Sequence, residues 1–543
     1  MGRSVRQAVV VIHGMGEQLP LSTLTRFIDT ALRPKNEKGD RTYFSRPESV
    51  TGSYESRRFL APRFPPQEDR AEWHAQTDFF EYHWADKMQG NRLDDLWPTF
   101  RRMLLQWPTR VPHGIKALWF VGWALILTAV WAVGWGPLEG KVIGEKNWVT
   151  VAITALVSGG VVAAALSYGA SRLLPRWLTS SFVDVVRYLD TSPRSYEVRR
   201  EIRKGLVEML QALHDSTAPR YDRVVIVAHS LGAYIGYDAI AYLWGLMNAQ
   251  TGRKPGQHEL EGLLELELAA SALPDRAPAQ DALVASFQQA QRDLWLGSRR
   301  QGNPWLISDF VSVGTPMYFA DQLMFGKGGR SFAARIDRRE LPTCPPHNEE
   351  SERNNIHKDQ GATRFYSWEK SWSTGSGPKR KSFSYRVLYE GAPFAVVRWT
   401  NLWFPVRLGL FGDWFGGPLA PLFGCGIKDV PLSGNTWGLG ASRSPGTKPW
   451  LHRLVPAAAH AFYFSFPADD ADGSAAKEIR RGVDLASTSW LRPPVPRLRP
   501  RVPRPPRPPR RRARAPAAPA AEPDLDDSEG AQEERDERAS PDS

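Results

Sequence analysis

Residues 224–234 read Val-Val-Ile-Val-Ala-His-Ser-Leu-Gly-Ala-Tyr. A short β-branched run ends at Ala228-His229-Ser230-Leu231-Gly232, and a helical pattern begins at once and continues through Ile240. Strand, sharp turn and helix in that order put Ser230 on a strained backbone, where neighbouring side chains must be small. Ala228 and Gly232 meet that need. Such a turn lifts the Ser230 hydroxyl above the end of a sheet. It also aims the start of the following helix at a developing negative charge. Ser230 is therefore the candidate nucleophile.

A second run, Ala-Val-Val-Val-Ile-His-Gly at 8–14, also reads as a buried strand that ends in a turn, Met15-Gly16-Glu17-Gln18. Residues 308–316 (Ser-Asp-Phe-Val-Ser-Val-Gly-Thr-Pro) and 394–404 (Phe-Ala-Val-Val-Arg-Trp-Thr-Asn-Leu-Trp-Phe) supply two more strands. Residues 182–217 predict a helical segment returning to the sheet. Residues 250–300 predict helical cap material, with Leu260, Leu263, Leu264 and Leu266 near one face. Residues 327–382 are polar and poorly periodic, and read as a long loop over the site. His347 and His357 lie there with Glu349, Glu350 and Glu352, but their spacing matches no ligand pattern, so neither metal nor cofactor is expected.

The strand ending in His13-Gly14, the turn Ala228-His229-Ser230-Leu231-Gly232, and the Gly314-Thr315-Pro316 strand end together resemble the α/β-hydrolase superfamily. Within it the chain looks most like lipase- and esterase-type serine hydrolases. The resemblance covers roughly 1–90 and 180–470, with insertions. It implies an α/β fold with a mostly parallel sheet flanked by helices. It also implies an oxyanion hole made by the backbone N–H of Leu231 and that of Gly14 or Met15. The superfamily's chain order asks for an acid and then a histidine after Ser230. Asp413 lies in the Gly-rich, aromatic loop after the 394–404 strand. Asp429 is its rival at greater distance, while Asp321 comes a strand too early. His452 and His460 are the only histidines beyond Asp413. His460, set between a small-residue run and Ala461-Phe462-Tyr463-Phe464, is the better candidate, because His452 sits in a polar, Pro-flanked segment. Ser230, His460 and Asp413 then form the expected triad.

Residues 117–135 and 147–171 contain no charged residue. Each reaches the roughly 20 residues needed to cross a bilayer core. The first carries Trp119, Trp123, Trp131 and Trp135, and the second is rich in Gly and Ala. Two spans with a short linker predict a transmembrane hairpin at 111–176. It would interrupt one hydrolase domain formed by 1–110 and 177–490. Arg101, Arg102, Arg110 and Lys116 before the first span, and Arg172, Arg176 and Arg187 after the second, place the catalytic body in the cytoplasm. Cys344 and Cys425 offer no disulfide framework, which agrees with a reducing compartment. No signal peptide is read at the N-terminus. The net charge of +12 suits a body resting on an anionic leaflet, and no nucleic-acid motif accompanies it. From 491 to 543 a Pro/Arg-rich stretch gives way to an acidic one. Neither can bury a core, so a disordered tail is expected.

Two functions from different classes follow. One is a membrane-anchored serine hydrolase acting on lipid or other amphiphilic esters. The other is a membrane scaffold or signalling protein that keeps the fold without turnover.

Overall fold

The computed structural model describes residues 5–15, 19–31, 44–47, 50, 57–60, 76–88, 104–116, 119–120, 122–124, 126–127, 184–185, 187–188, 193–216, 220–250, 259–323, 331–349, 351–374, 381–406, 412–433, 458–464 and 472–485. Ten strands lie among them: β1 (Arg6–Ile12), β2 (Phe44–Pro47), β3 (Arg57–Leu60), β4 (Gln76–Tyr82), β5 (Arg223–His229), β6 (Ile307–Val313), β7 (Ser367–Thr374), β8 (Lys381–Leu388), β9 (Arg398–Trp403) and β10 (Lys428–Pro431). Eight of them form one sheet in the order β10-β9-β6-β5-β1-β4-β3-β2. The strands from β10 to β4 run parallel, and β3 and β2 close the edge antiparallel.

The strands are apolar on both sides because both sides are covered. Alternate residues of each strand enter opposite cores. Val10, Ile12, Ile226, Ala228 and Phe310 pack on one face. Val9, Val11, Val225, Val227 and Val311 pack on the other. The first face is covered by α2 (Pro193–Asp215), α3 (Leu231–Met247) and α5 (Asp281–Arg300), with α4 (Leu263–Ser271) beside α5. The second is covered by α1 (Ser22–Ala31) and α6 (Ala475–Val483) through Leu24, Phe27, Ile28, Ile479 and Val483. At the strands' N-terminal edge a buried ionic cluster joins Arg223 and Arg398 to Asp309, and Arg223 also donates to the Val483 and Asp484 carbonyls. This cluster ties the end of α6 to β5, β6 and β9.

Three sequence expectations need correction. The 250–300 helices are not a cap. Buried Gln288 and Gln291 on α5 donate to the Trp399, Phe394 and Val397 carbonyls, so α5 lies flat on the sheet. Residues 327–382 are not one long loop over the site. They include a six-residue helix at Phe332–Asp337 and β7, which pairs with β8 in a separate antiparallel sheet. That hairpin docks at the far end of α3, where Trp244 and Asn248 donate to the Tyr389 and Leu388 carbonyls. His357 does not lie in a loop over the site either. It is buried, with Nδ1 2.6 Å from Glu267 Oε2 on α4.

Most of the expected transmembrane hairpin, including all of 147–171, lies outside the described residues, as do the 491–543 tail and His452. Among the described residues no helix is long and apolar enough to cross a membrane.

Candidate active site

The C-terminal ends of β1, β5, β6 and β9 lie side by side, with Ile12 beside Ala228, His229 beside Val313, and Val313 beside Leu402. In open parallel sheets this edge is where ligands bind. Ser230, Asp413, His460, His13, Gly14 and Leu231 are found there, whereas Asp321, Asp429, His347, His357 and Glu349 are not.

Ser230 occupies the turn between β5 and α3 with φ 56° and ψ −125°. A positive φ in a non-glycine residue costs free energy, and here the surroundings enforce it. Ser230 N–H continues the ladder by donating to Val313 O at 2.9 Å, and α3 starts at the next residue. Gly232 shows why the turn demands a small residue. A Cβ there would lie 2.6 Å from the His13 carbonyl oxygen and 2.7 Å from that of Ile12.

Ser230 Oγ is 2.9 Å from His460 Nε2, and His460 Nδ1 is 2.9 Å from Asp413 Oδ1. A carboxylate only accepts, so Nδ1 carries the proton and Nε2 accepts from the serine hydroxyl. All three side chains are buried. His460 sits on a 3-10 turn, Ala458–Ala461. Asp413 follows β9 by ten residues, and its N–H returns to Phe404 O. Its Oδ1 also accepts from Phe415 N–H at 2.8 Å. Its Oδ2 faces two glycines: a Cβ at Gly416 or at Gly314, which has φ +55°, would approach it to 2.5 or 2.7 Å.

Asp429 does not share this position. Its carboxylate accepts from Asn401 Nδ2 and from the N–H groups of Leu419 and Ala420, so it shapes the loop instead. Asp321 lies exposed in the short helix Ala320–Leu323.

Gly14 abuts the turn. A Cβ there would be 3.0 Å from Ser230 Cβ and 2.5 Å from His229 Nδ1. His13 fixes the peptide that follows: its Nδ1–H donates to Gly14 O at 2.8 Å, while its Nε2 accepts from Trp84 N–H at 3.0 Å. Peptide planarity then aims the Met15 N–H away from that carbonyl. Burial pushes the His13 imidazole down to about 3, which keeps it neutral in this role. The Leu231 N–H lies in the first turn of α3, at the positive end of its dipole.

Two residues were not singled out from the sequence. Tyr463 donates its hydroxyl to Asp413 Oδ2 at 2.6 Å and accepts from Phe404 N–H at 3.1 Å. Burial, followed by the facing carboxylate, raises this phenol far above its ordinary range. His229 donates Nε2–H to the His460 carbonyl at 2.9 Å, tying the histidine turn to β5. Tyr463 stands three residues after His460, a spacing that one helical turn brings to the same side. Its apolar setting, Ala461-Phe462-Tyr463-Phe464, hides that signal. His229 borders Ser230 in the sequence, but nothing in the sequence shows its partner.

Among the described residues no group of three or more His, Cys, Asp or Glu side chains is placed to hold a metal ion. A serine hydroxyl on an imidazole whose other nitrogen is held by a buried carboxylate can lose its proton to that ring as it attacks an electrophile. Comparison of the sequence with protein-family models gives no match, and comparison with curated proteins gives none either.

Proposed function

We propose that this chain is a serine ester hydrolase of the α/β-hydrolase type, closest in character to lipases and esterases. One observation carries the reading: the two 2.9 Å contacts that run Ser230–His460–Asp413 beneath a serine held at positive φ. Ser230 Oγ attacks the ester carbonyl while its proton passes to His460 Nε2. Asp413 holds the ring's tautomer and stabilises the imidazolium. The Leu231 N–H and that of Gly14 or Met15 receive the oxyanion. His460 then protonates the leaving alcohol, and water releases the acyl group by the same steps. The substrates are lipid or other amphiphilic esters. Residues 111–176 anchor the chain in a membrane as a two-span hairpin, with the catalytic body on the cytoplasmic side. The uncharged 117–135 and 147–171 stretches and the flanking arginines support that part.

The test is labelling by a fluorophosphonate probe, which requires an activated serine. Wild type should label, and Ser230→Ala should lose both labelling and ester hydrolysis, the latter by ~10³-fold or more. Full labelling of Ser230→Ala would overturn the assignment. A folded wild type that never labels would favour the alternative, a membrane scaffold or signalling protein without turnover.

A further inference from the structure

Four large apolar side chains stand in water within one short stretch: Leu105 is 69 % exposed, Trp107 73 %, Phe120 60 % and Leu127 61 %. The indole N–H groups of Trp119 and Trp123 both donate to Leu104 O, at 3.0 and 2.9 Å. This staples the 119–127 segment onto the segment bearing Leu105 and Trp107. A Cβ at Gly122 would come within 2.7 Å of Leu104 Cδ2, so the two pieces touch. The Trp119 ring packs edge-on to Phe120 at 5.1 Å.

The same stretch is fastened to the candidate site. A Cβ at Gly114 would lie 2.5 Å from the Trp414 carbonyl oxygen, the residue next to Asp413. Gln322 donates to Arg110 O. Leu105 and Trp107 therefore stand a few residues ahead of a segment that touches the Asp413 loop.

Charge and composition name the occupant. Between Asp95 and Glu139 the sequence holds no acidic residue, but it holds Arg101, Arg102, Arg110 and Lys116. A second copy of the chain would need only an apolar counterface. An anionic bilayer wants apolar side chains that enter the acyl boundary, tryptophans at the headgroup level and basic residues beside them. The stretch has all three.

We propose that Leu105 and Trp107, ahead of the 117–135 stretch, seat in the headgroup–acyl boundary of an anionic bilayer and hold the Ser230 edge of the sheet at the leaflet. The docking stands on these side chains alone. Its consequence for substrate supply rests on the esterase reading.

The experiment uses the full chain with an environment-sensitive fluorophore (NBD) on Leu105→Cys, and with vesicles of phosphatidylcholine and phosphatidylglycerol. Wild type, whose two cysteines are buried, is the labelling blank. The control is Leu246→Cys, exposed near the far end of α3 and about 20–25 Å along the helix from Ser230. Vesicles should shift the Leu105 emission to the blue, more so with phosphatidylglycerol than without, and leave the Leu246 emission unchanged. No vesicle-dependent shift at Leu105 overturns the docking. So does a shift that appears without vesicles and grows with protein concentration, which would make this a self-association face.

The double variant Leu105→Ser/Trp107→Ser should slow hydrolysis of a vesicle-embedded ester by about tenfold and leave p-nitrophenyl acetate hydrolysis unchanged. Equal loss on both substrates would overturn the role in substrate supply. A chain that fails fluorophosphonate labelling but still shows the vesicle shift would lose the esterase reading and keep the docking surface.

Discussion

Asp413 lies buried in the loop after β9 and Asp429 part-buried on β10, and their partners separate them. Asp413 takes the His460 Nδ1–H, Phe415 N–H and Tyr463 hydroxyl, while Asp429 takes an asparagine amide and two backbone N–H groups. If His460 is the general base, Asp413→Asn turns an acceptor toward disorder: its amide stabilises the wrong tautomer and should cost ~10⁴-fold in kcat. Asp429→Asn should leave kcat within about twofold, since no Asp429 contact reaches the reacting atoms. Tyr463→Phe tests positioning separately. It removes one donor from Asp413 Oδ2, concentrating negative charge on the oxygen that faces His460. The imidazolium becomes easier to form, so the acid limb of the kcat/KM profile should move to higher pH, with kcat down by about tenfold. A purely structural tyrosine would lower the melting temperature and leave that limb in place. That Ser230, Asp413 and His460 lie together was legible because the resemblance to α/β-hydrolases implies an acid and then a histidine after the serine. Tyr463 could not, because a tyrosine inside Ala-Phe-Tyr-Phe looks like core until its hydroxyl partner is seen.

Two glycines of one helix show how elements constrain the site. Gly232 lets the first turn of α3 pass within contact distance of the Ile12 and His13 carbonyls at the end of β1. Gly245, thirteen residues on, has nothing within 4 Å of its Cβ position. Gly232→Ala must push α3 off β1, and backbone oxygens cannot rotate away. About 1–3 kcal/mol of stability should be lost, together with fluorophosphonate labelling, because the movement separates Ser230 from Gly14. Gly245→Ala should stabilise by about 0.5–1 kcal/mol through helix propensity, with labelling unchanged. Melting curves of both variants, read beside labelling, decide the matter; equal losses would mean that the β1–α3 approach is not what matters. The same scale explains the misread segments. The 250–300 stretch gives no sign in its leucines that α5 reaches the sheet, because the contact is made by Gln288 and Gln291, buried on backbone carbonyls. β7 falls in the stretch expected as loop because Ser, Lys and Glu alternate there with Trp368 and Trp372, as Ser alternates with Phe383 and Tyr385 in β8. That period-2 pattern is a strand signal that its polar average conceals. β1, β5, β6 and β9 were plain in the sequence because strands covered on both faces need unbroken apolar runs.

Across the whole molecule, buried histidines set the response to acid. His13 and His214 use both ring nitrogens on the backbone in opposite senses. His214 Nδ1–H donates to Leu210 O at 2.7 Å, and its Nε2 accepts from Leu306 N–H at 3.0 Å. Burial lowers His214 to about 4 and His13 to about 3, and holds His229 well below its ordinary value. In the unfolded chain these rings titrate near 6.5. The stability they contribute is fully present above that value and is lost as pH falls toward their folded values. At pH 5 each of His13 and His214 should have cost about 2 kcal/mol. Glu81 acts in the opposite direction. Burial raises it to about 7, so its contribution is present below its unfolded value and is lost as pH rises through 7. His347 is lowered too, and Asp215, Glu267, Asp321 and Asp429 are raised with Glu81, but His13, His214 and His229 carry large shifts across this range, so the melting temperature should fall between pH 7.5 and 5. His214→Gln keeps a donor for Leu210 and an acceptor for Leu306 but cannot titrate, so it should recover about 2 kcal/mol of that fall. Glu81→Gln should melt higher than wild type at pH 7.5 and show a larger fall on acidification, because one opposing group is gone. If His214→Gln shows the full wild-type fall, the α2–β6 junction does not carry the acid sensitivity. The loss would then be assigned to His13 and His229, the two rings that brace Gly14 and His460, and the candidate site would open before the sheet does.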